Sequence, residues 1–367
     1  MQVPLMDLKA EYADLRPQVL DAIDRALTSM QLFLGPNVQA LEQEFAQFCG
    51  VKHAIGCGSG TDACLLSLQA AGIGQGDEVI TVSWTFIATI ASLVHLGAKP
   101  VLVDIEPTHY NLDPAQVEAA ITPRTKAIMP IHIYGYPADM GALQKIADEH
   151  GLLIIEDACQ AHGASYRGQM VGGLGTAAAF SFYLSKNLGC YGEGGMVTTN
   201  DDELAERVKL LRNHGYTGKY DHGILGYNSR LDEIQAAVLR IKLARLEAGL
   251  VRRRQQADIY HERLSGTPLF VPPEEEGFRH CFYMFHVRAP RRDELMAFLQ
   301  EREISTAQHY VHPAHRQPAL APYGLDQVSL PVSDQASQEV LILPCHPYLS
   351  DEQILFVADS VREFYEC

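Results

Sequence analysis

Lys186 stands between an apolar run, Ala177 to Tyr183, and a glycine-bearing turn that continues to Gly192-Glu193-Gly194-Gly195. A primary amine held among apolar walls loses part of its preference for the charged form, becomes nucleophilic and can join an aldehyde as a Schiff base. The plain alternative is an exposed lysine closing a strand, and three further features weigh against it. Asp157 follows the run Leu152 to Ile155 and emerges at the carboxyl edge of a sheet. There it could accept a hydrogen bond from a protonated ring nitrogen and keep that ring an electron sink, although a carboxylate in such a place is commonly a helix cap. The segment Gly56-Cys57-Gly58-Ser59-Gly60-Thr61-Asp62 follows a strand and opens a helix, so free N–H groups and the positive helix end can approach a phosphate. Trp84, the only tryptophan, lies just past Val79 to Val82, where an indole can stack on a flat ring or simply pack in the core.

The glycine cluster is neither of the common nucleotide loops. A dinucleotide fingerprint needs glycine where Thr61 stands and an acidic residue after the next strand, and a phosphate-binding Walker loop needs Gly-Lys-Ser/Thr. A nicotinamide dehydrogenase is disfavoured on that ground.

The elements that must position these residues are strands alternating with amphipathic helices. His53 to Cys57, Glu78 to Val82, Lys99 to Val103, Lys126 to Ile131, Leu152 to Ile155, Ala177 to Tyr183 and Gly195 to Thr199 read as strands; Thr61 to Ala71, Phe86 to Leu96 and Ala138 to His150 read as helices. This is the α/β pattern of a mostly parallel sheet, which binds ligands at strand carboxyl ends. Ser229-Arg230-Leu231-Asp232 resembles a capping box ahead of a long helix with Leu231, Ile234, Val238 and Ile241 at helical spacing. Beyond about residue 250 the pattern changes to Arg- and Glu-rich helices with prolines and a strand candidate at Cys281 to Val287. The expected division is a large domain over residues 1–248 and a smaller α+β domain over 249–367.

At 367 residues with 47% hydrophobic and 20% charged side chains, the chain is that of a folded globular protein large enough to bury a deep site. Its formal net charge of −16 argues against nucleic acid and anionic membranes, which are held by basic faces, yet leaves small anions open because local donors act at short range. The eight cysteines contain no C-x-x-C pair, so no metal site is expected and they read as reduced core residues. With no leader pattern and no apolar run long enough to span a bilayer, a cytoplasmic location is expected.

Taken together, Ser59-Gly60-Thr61-Asp62, Glu156 through Ala164, Ser181 through Gly189 and Gly226 through Asp232 resemble the DegT/DnrJ/EryC1/StrS family of sugar aminotransferases over nearly the whole chain. The resemblance implies a pyridoxal-phosphate enzyme of fold type I, with a mostly parallel seven-stranded sheet, working as a homodimer with shared active sites. It implies that Lys186 carries the cofactor and shuttles protons, that Asp157 holds the ring nitrogen, that Gln160 contacts the ring hydroxyl and that Trp84 covers the ring. Gly60, Thr61, Ser181 and, from the other subunit, Asn228 would bind the phosphate, with His162 close by. Members that dehydrate sugars resemble the rest but carry histidine where Lys186 stands, so transamination is implied, with glutamate as donor and a nucleotide-linked keto-sugar as acceptor.

The loops Leu211 to Tyr220 and His309 to Pro313 look like those that meet dTDP-linked 3-keto-6-deoxy sugars, which makes Tyr183, Lys219, His309 and Tyr310 the substrate candidates. Amination of a 4-keto sugar, a uronic-acid sugar or a cyclitol ketone is the near alternative, and a non-catalytic regulatory relative is the alternative of another class. Leu184 replaces the family's usual proline, which alters loop stiffness without touching the lysine.

Overall fold

Seven short, buried strands build the central sheet of the structure, a computed structural model that describes residues 1–366. Cys367, one of the eight cysteines, lies outside them. The strands are β1 His53–Cys57, β2 Glu78–Val82, β3 Lys99–Val103, β4 Thr125–Ile128, β5 Leu153–Asp157, β6 Ala177–Ser181 and β7 Gly195–Thr199. They lie in the order β1-β7-β6-β5-β4-β2-β3. All neighbours run parallel except β7, which is antiparallel to both β1 and β6. The runs of Val, Ile, Ala and Met that mark these strands have no polar alternation, as expected of strands covered on both faces.

Four helices bear on the carboxyl edge of the sheet and its supports: α1 Leu8–Ser29, α2 Pro36–Cys49, α3 Gly60–Ala70 and α4 Ile87–His95. Helix α3 begins where Ser59 turns its hydroxyl onto the N–H of Asp62 at 3.1 Å, a side-chain cap of the kind serine favours. It packs on β6 and β7, so its N-terminus meets the carboxyl end of β6.

The long helix is Glu233–Arg263, 31 residues, lying against α1 and α2 at one end and against the helix Asp351–Phe364 at the other. Its N-cap is Asp232 and carries no side-chain cap bond. The capping box read at Ser229 is therefore corrected: the Ser229 hydroxyl is drawn away to Asp62 Oδ2 at 2.8 Å and accepts from the Gly58 N–H at 3.1 Å. Residues 248 and 249 fall inside this unbroken helix.

The C-terminal part has its own apolar cluster, including Tyr260, Phe285, Leu295, Leu341, Val361 and, from the other end of the chain, Val3. Its two-stranded sheet pairs Phe285–Arg288 antiparallel with Val340–Leu343. The strand expected from Cys281 starts only at Phe285, because Phe282 adopts φ 47° and its carbonyl is taken by Arg253 Nη1 at 3.0 Å.

Candidate active site

A cavity of about 440 Å³ opens at the carboxyl ends of β5 and β6 against the N-terminus of α3. Gly60, Thr61, Asp157, Gln160, Ser181, Tyr183, Lys186, His309 and Tyr310, all expected from the sequence, line it. The geometry follows from strand alternation. Glu156 and Asp157 are adjacent on β5, so they face opposite sides of the sheet. Glu156, fully buried, accepts from the N–H groups of Gly172, Leu174 and Gly175 at 2.7–3.0 Å and from His132 Nε2 at 3.0 Å. Asp157 turns to the cavity, accepting at Oδ2 from the Thr89 hydroxyl at 2.6 Å and at Oδ1 from the Cys159 N–H at 3.1 Å. Thr85 Oγ1 lies 2.8 Å from Thr89 Oγ1, so a short hydroxyl relay backs the carboxylate.

Lys186 follows a tight turn closed by its own N–H on the Tyr183 carbonyl at 2.8 Å. Its Nζ lies 4.4 Å from the centre of the Tyr283 ring, an aromatic face that steadies a cation. The turn needs Gly189, where a Cβ would come within 2.6 Å of the Leu184 carbonyl oxygen. Gly60 is equally constrained, since a Cβ there would lie 2.5 Å from the Ser181 Cβ. Helix α3 can therefore bring its free first-turn N–H groups beside the Ser181 hydroxyl only with glycine at this point.

Gln160 is held at both ends, its Oε1 accepting from the Tyr134 N–H at 2.8 Å and its Nε2 donating to Tyr310 Oη at 2.9 Å. The loop that carries His309 and Tyr310 is clasped to the end of β2: the Ser83 carbonyl accepts from Ala314 N at 2.9 Å and Ser83 Oγ from His315 N at 3.0 Å. Burial and the neighbouring Lys186 charge push the His309 pKa down from the ordinary histidine value.

Trp84 does not face the cavity, which corrects its assignment as the residue that covers a ring. Its side chain is fully buried, its Nε1 donates to Tyr134 Oη at 2.8 Å, and its edge meets Tyr310 with ring centres 5.8 Å apart. From this segment it is Phe86, 59% exposed, that lines the cavity, alongside Tyr183, Tyr283 and Tyr310. Phe86 is the N-cap of α4 and so stands at the rim, whereas Trp84 still belongs to the packed layer beneath. Sequence reasoning also passed over Thr89, Tyr283, Cys64 and Cys159, which line the cavity; the spacing of Thr85 and Thr89, one helical turn apart, was the available signal for the hydroxyl relay.

His162 is buried among Phe45, Phe180 and Phe182, is not part of the cavity lining, and has its pKa pushed down to about 3 by burial and then by Lys186. Asn228 and Lys219 are exposed and do not line the cavity of their own chain. A second cavity, about 330 Å³, lies across the Ser185–Asn187 turn under residues Met6 to Leu15 and is also lined by Lys186; of its other charged residues, Lys242 is paired with Glu11, Arg245 with Asp14 and Arg252 with Asp351.

The family model described as the DegT/DnrJ/EryC1/StrS aminotransferase family matches residues 13–362. The chain belongs to this family, and it is an aminotransferase. It is similar over its full length to a "pleiotropic regulatory protein" of Geobacillus stearothermophilus, at 49% identity covering 100% of this chain and 99% of the relative. It is equally similar, at 49% identity over 100% and 97% of the two chains, to dTDP-3-amino-3,4,6-trideoxy-alpha-D-glucose transaminase of Streptomyces venezuelae.

Among solved structures, that of S. venezuelae DesV in complex with a ketimine intermediate superimposes with a TM-score of 0.97 at 49% identity, covering 100% of this chain and 99% of that one. A putative sugar aminotransferase of Streptococcus pneumoniae, solved in apo and PLP forms, matches at 25% identity and TM-scores of 0.91 and 0.90 over 95% of this chain. The mostly parallel α/β architecture of this chain is thus that of the DegT/DnrJ/EryC1/StrS aminotransferases. The turn that carries Lys186 and the carboxylate of Asp157 line one cavity.

Proposed function

We propose that this chain transfers an amino group from glutamate to a nucleotide-linked keto-sugar, with pyridoxal phosphate in the cavity at the end of β5 and β6. The observation that carries the reading is the convergence on that cavity of an amine, Lys186, a buried carboxylate, Asp157, and a glycine-gated helix terminus beside Ser181. The residues fit the cofactor. The Gly60 approach leaves the N–H groups of Gly60 and Thr61 free for a phosphate, Asp157 retains acceptor capacity for a ring N–H, and Phe86 offers an aromatic face at the rim.

When bound, pyridoxal phosphate supplies an aldehyde carbon that an amine can hold covalently and a ring that accepts the electron pair left by a broken C–H bond. The chain's residues do the rest. Asp157 keeps the ring nitrogen protonated and is itself kept oriented by Thr89. Lys186 Nζ would hold the cofactor's aldehyde carbon and, as a free amine, would be the group that moves a proton at the reacting carbons. Gln160 Nε2 is placed for the ring hydroxyl, while Tyr183, His309 and Tyr310 line the side open to a sugar.

The assembly in this reading is a homodimer, with Asn228 for the phosphate and Lys219 for the substrate supplied by a second copy. In support, the hairpin and loop from Tyr216 to Tyr227 stand out from the chain with apolar groups in the open, Tyr220 at 90% and Leu225 at 94% exposure. Residues 1–248 would form the cofactor-binding domain and 249–367 the smaller one, the long helix bridging them; the separate C-terminal apolar cluster supports this division. No helix among the described residues is long and apolar enough to cross a membrane.

The favoured acceptor is a dTDP-linked 3-keto-6-deoxyhexose. The test is reverse transamination with a panel of nucleotide-linked amino sugars, following 2-oxoglutarate consumption and the ketone product by mass spectrometry. Turnover of a dTDP-3-amino sugar above all others is expected; turnover confined to 4-amino sugars or cyclitol amines would replace the substrate, and none with any amino sugar would overturn the reading.

A further inference from the structure

The cavity carries a ligand set that transamination does not use. Cys64 lies one turn beyond Gly60 on α3, so it shares the face that looks into the cavity, and Cys159 lies two residues beyond Asp157. The ligand atoms of Cys64, Cys159 and Asp157 all lie within 4.8 Å of one another. We infer that, when the cofactor is absent, these three side chains bind a soft divalent cation such as Zn²⁺, and that cation and pyridoxal phosphate exclude each other because both need Asp157.

Two sulfurs and one carboxylate oxygen are donors that zinc prefers, and a fourth, tetrahedral position is left for water from the cavity. All three residues line the cavity, so the entry route is the cofactor's own. The carboxylate is fixed by outer partners, Thr89 Oγ1 at 2.6 Å and the Cys159 N–H at 3.1 Å, the kind of support that orients a metal ligand. On binding, each thiol gives its proton to solvent and its sulfur lone pair to the metal, with no change of oxidation state. The set escapes a search for C-x-x-C spacing because Cys64 and Cys159 come from different elements and meet only in the fold.

The exclusion rests on the reading that Asp157 receives the cofactor ring; the binding of metal does not. Full-length protein freed of cofactor and metal is titrated with Cd²⁺, which reports thiolate ligation through its ultraviolet charge-transfer band, and then with Zn²⁺ in competition. Saturation at one equivalent is expected, with at least tenfold weaker binding in both Cys64→Ser and Cys159→Ser, each checked for native circular dichroism. The zinc-loaded protein should take up pyridoxal phosphate at least tenfold more slowly, and a chelator should restore the rate. An absent band, or a band unchanged in the double Cys64→Ser/Cys159→Ser variant and so due to other thiols, overturns the site. Normal cofactor uptake with zinc still bound overturns the exclusion. Failure of the metal-free protein to take up cofactor would sink the cofactor reading and the exclusion with it, while the cadmium band would still decide the metal site.

Discussion

Replacing Thr89 with valine removes one hydroxyl with almost no change of shape, and that hydroxyl is the donor that holds Asp157. The bond is 2.6 Å long between two buried groups, and a hydrogen bond to a charged acceptor contributes about 1.5–3 kcal/mol net. Thr85 Oγ1, 2.8 Å from the same hydroxyl, also loses its partner, so the cofactor-free protein should unfold about 2–4 kcal/mol more easily in urea. Asp157 would at the same time be less firmly aimed at the ring nitrogen. If about 1.4–2.8 kcal/mol of that loss is felt in the complex, pyridoxal phosphate binds roughly ten- to a hundredfold more weakly. Thr89→Ser keeps the donor and should recover most of both effects. In an Asp157→Asn background the same Thr89→Val change should cost less than half as much, since the charge it served is gone. A Thr89→Val protein within about 0.5 kcal/mol of the parent, or a serine variant no better than valine, would refute the reasoning.

Glu78 is held to a pKa of about 2 by its hydrogen bond to Thr122, with Arg124 and Lys99 adding to it against the opposing cost of burial. A carboxyl depressed in the folded state stabilises fully above its unfolded pKa and loses that contribution as pH falls. Since Arg124 and Lys99 reach it from solvent, Glu78→Gln should cost only about 1–2 kcal/mol at pH 7, with the gap to the parent closing from about pH 4.5 toward pH 2; a gap independent of pH in urea titrations would contradict this. His162 and His280 are pushed down to about 3, and His346 to about 4, each chiefly by burial. Their unfolded forms take up protons below about pH 6.5 while the folded forms do not, so unfolding free energy should fall by about 1.4 kcal/mol per pH unit for each of them below that point, and equal urea midpoints at pH 7.5 and 5.5 would rule it out. Gly60→Ala drives a methyl group to 2.5 Å from the Ser181 Cβ; it should cost about 1–3 kcal/mol and weaken cofactor binding at least tenfold, read by cofactor titration, and unchanged binding would remove the phosphate seat from α3.

The sheet was legible because each strand is a short, mostly apolar segment bounded by turn residues, and burial of most of its positions leaves no strict polar alternation. Lys186, Asp157 and the Gly56–Asp62 turn were legible for a related reason: parallel strands deliver the residues at their ends to one edge. Features that depend on distant partners were not. Nothing near Trp84 or Phe86 in the chain says which faces the cavity, since the choice is made by Tyr134 Oη, which takes the indole N–H. Ser229 has the spacing of a cap, yet Asp62, 167 positions away, claims its hydroxyl. The strand start at Phe285 was hidden in the same way, because the turn at Phe282 is held by Arg253 from the long helix.

Whether Lys186 anchors the cofactor can be read covalently. Protein loaded with pyridoxal phosphate is reduced with borohydride, digested and mapped by mass spectrometry. A pyridoxyl group is expected on the peptide containing Lys186 and on no other, absent when Lys186→Ala is treated alike; attachment at a different lysine, or equal labelling of the alanine variant, would rule out Lys186 as the cofactor's anchor.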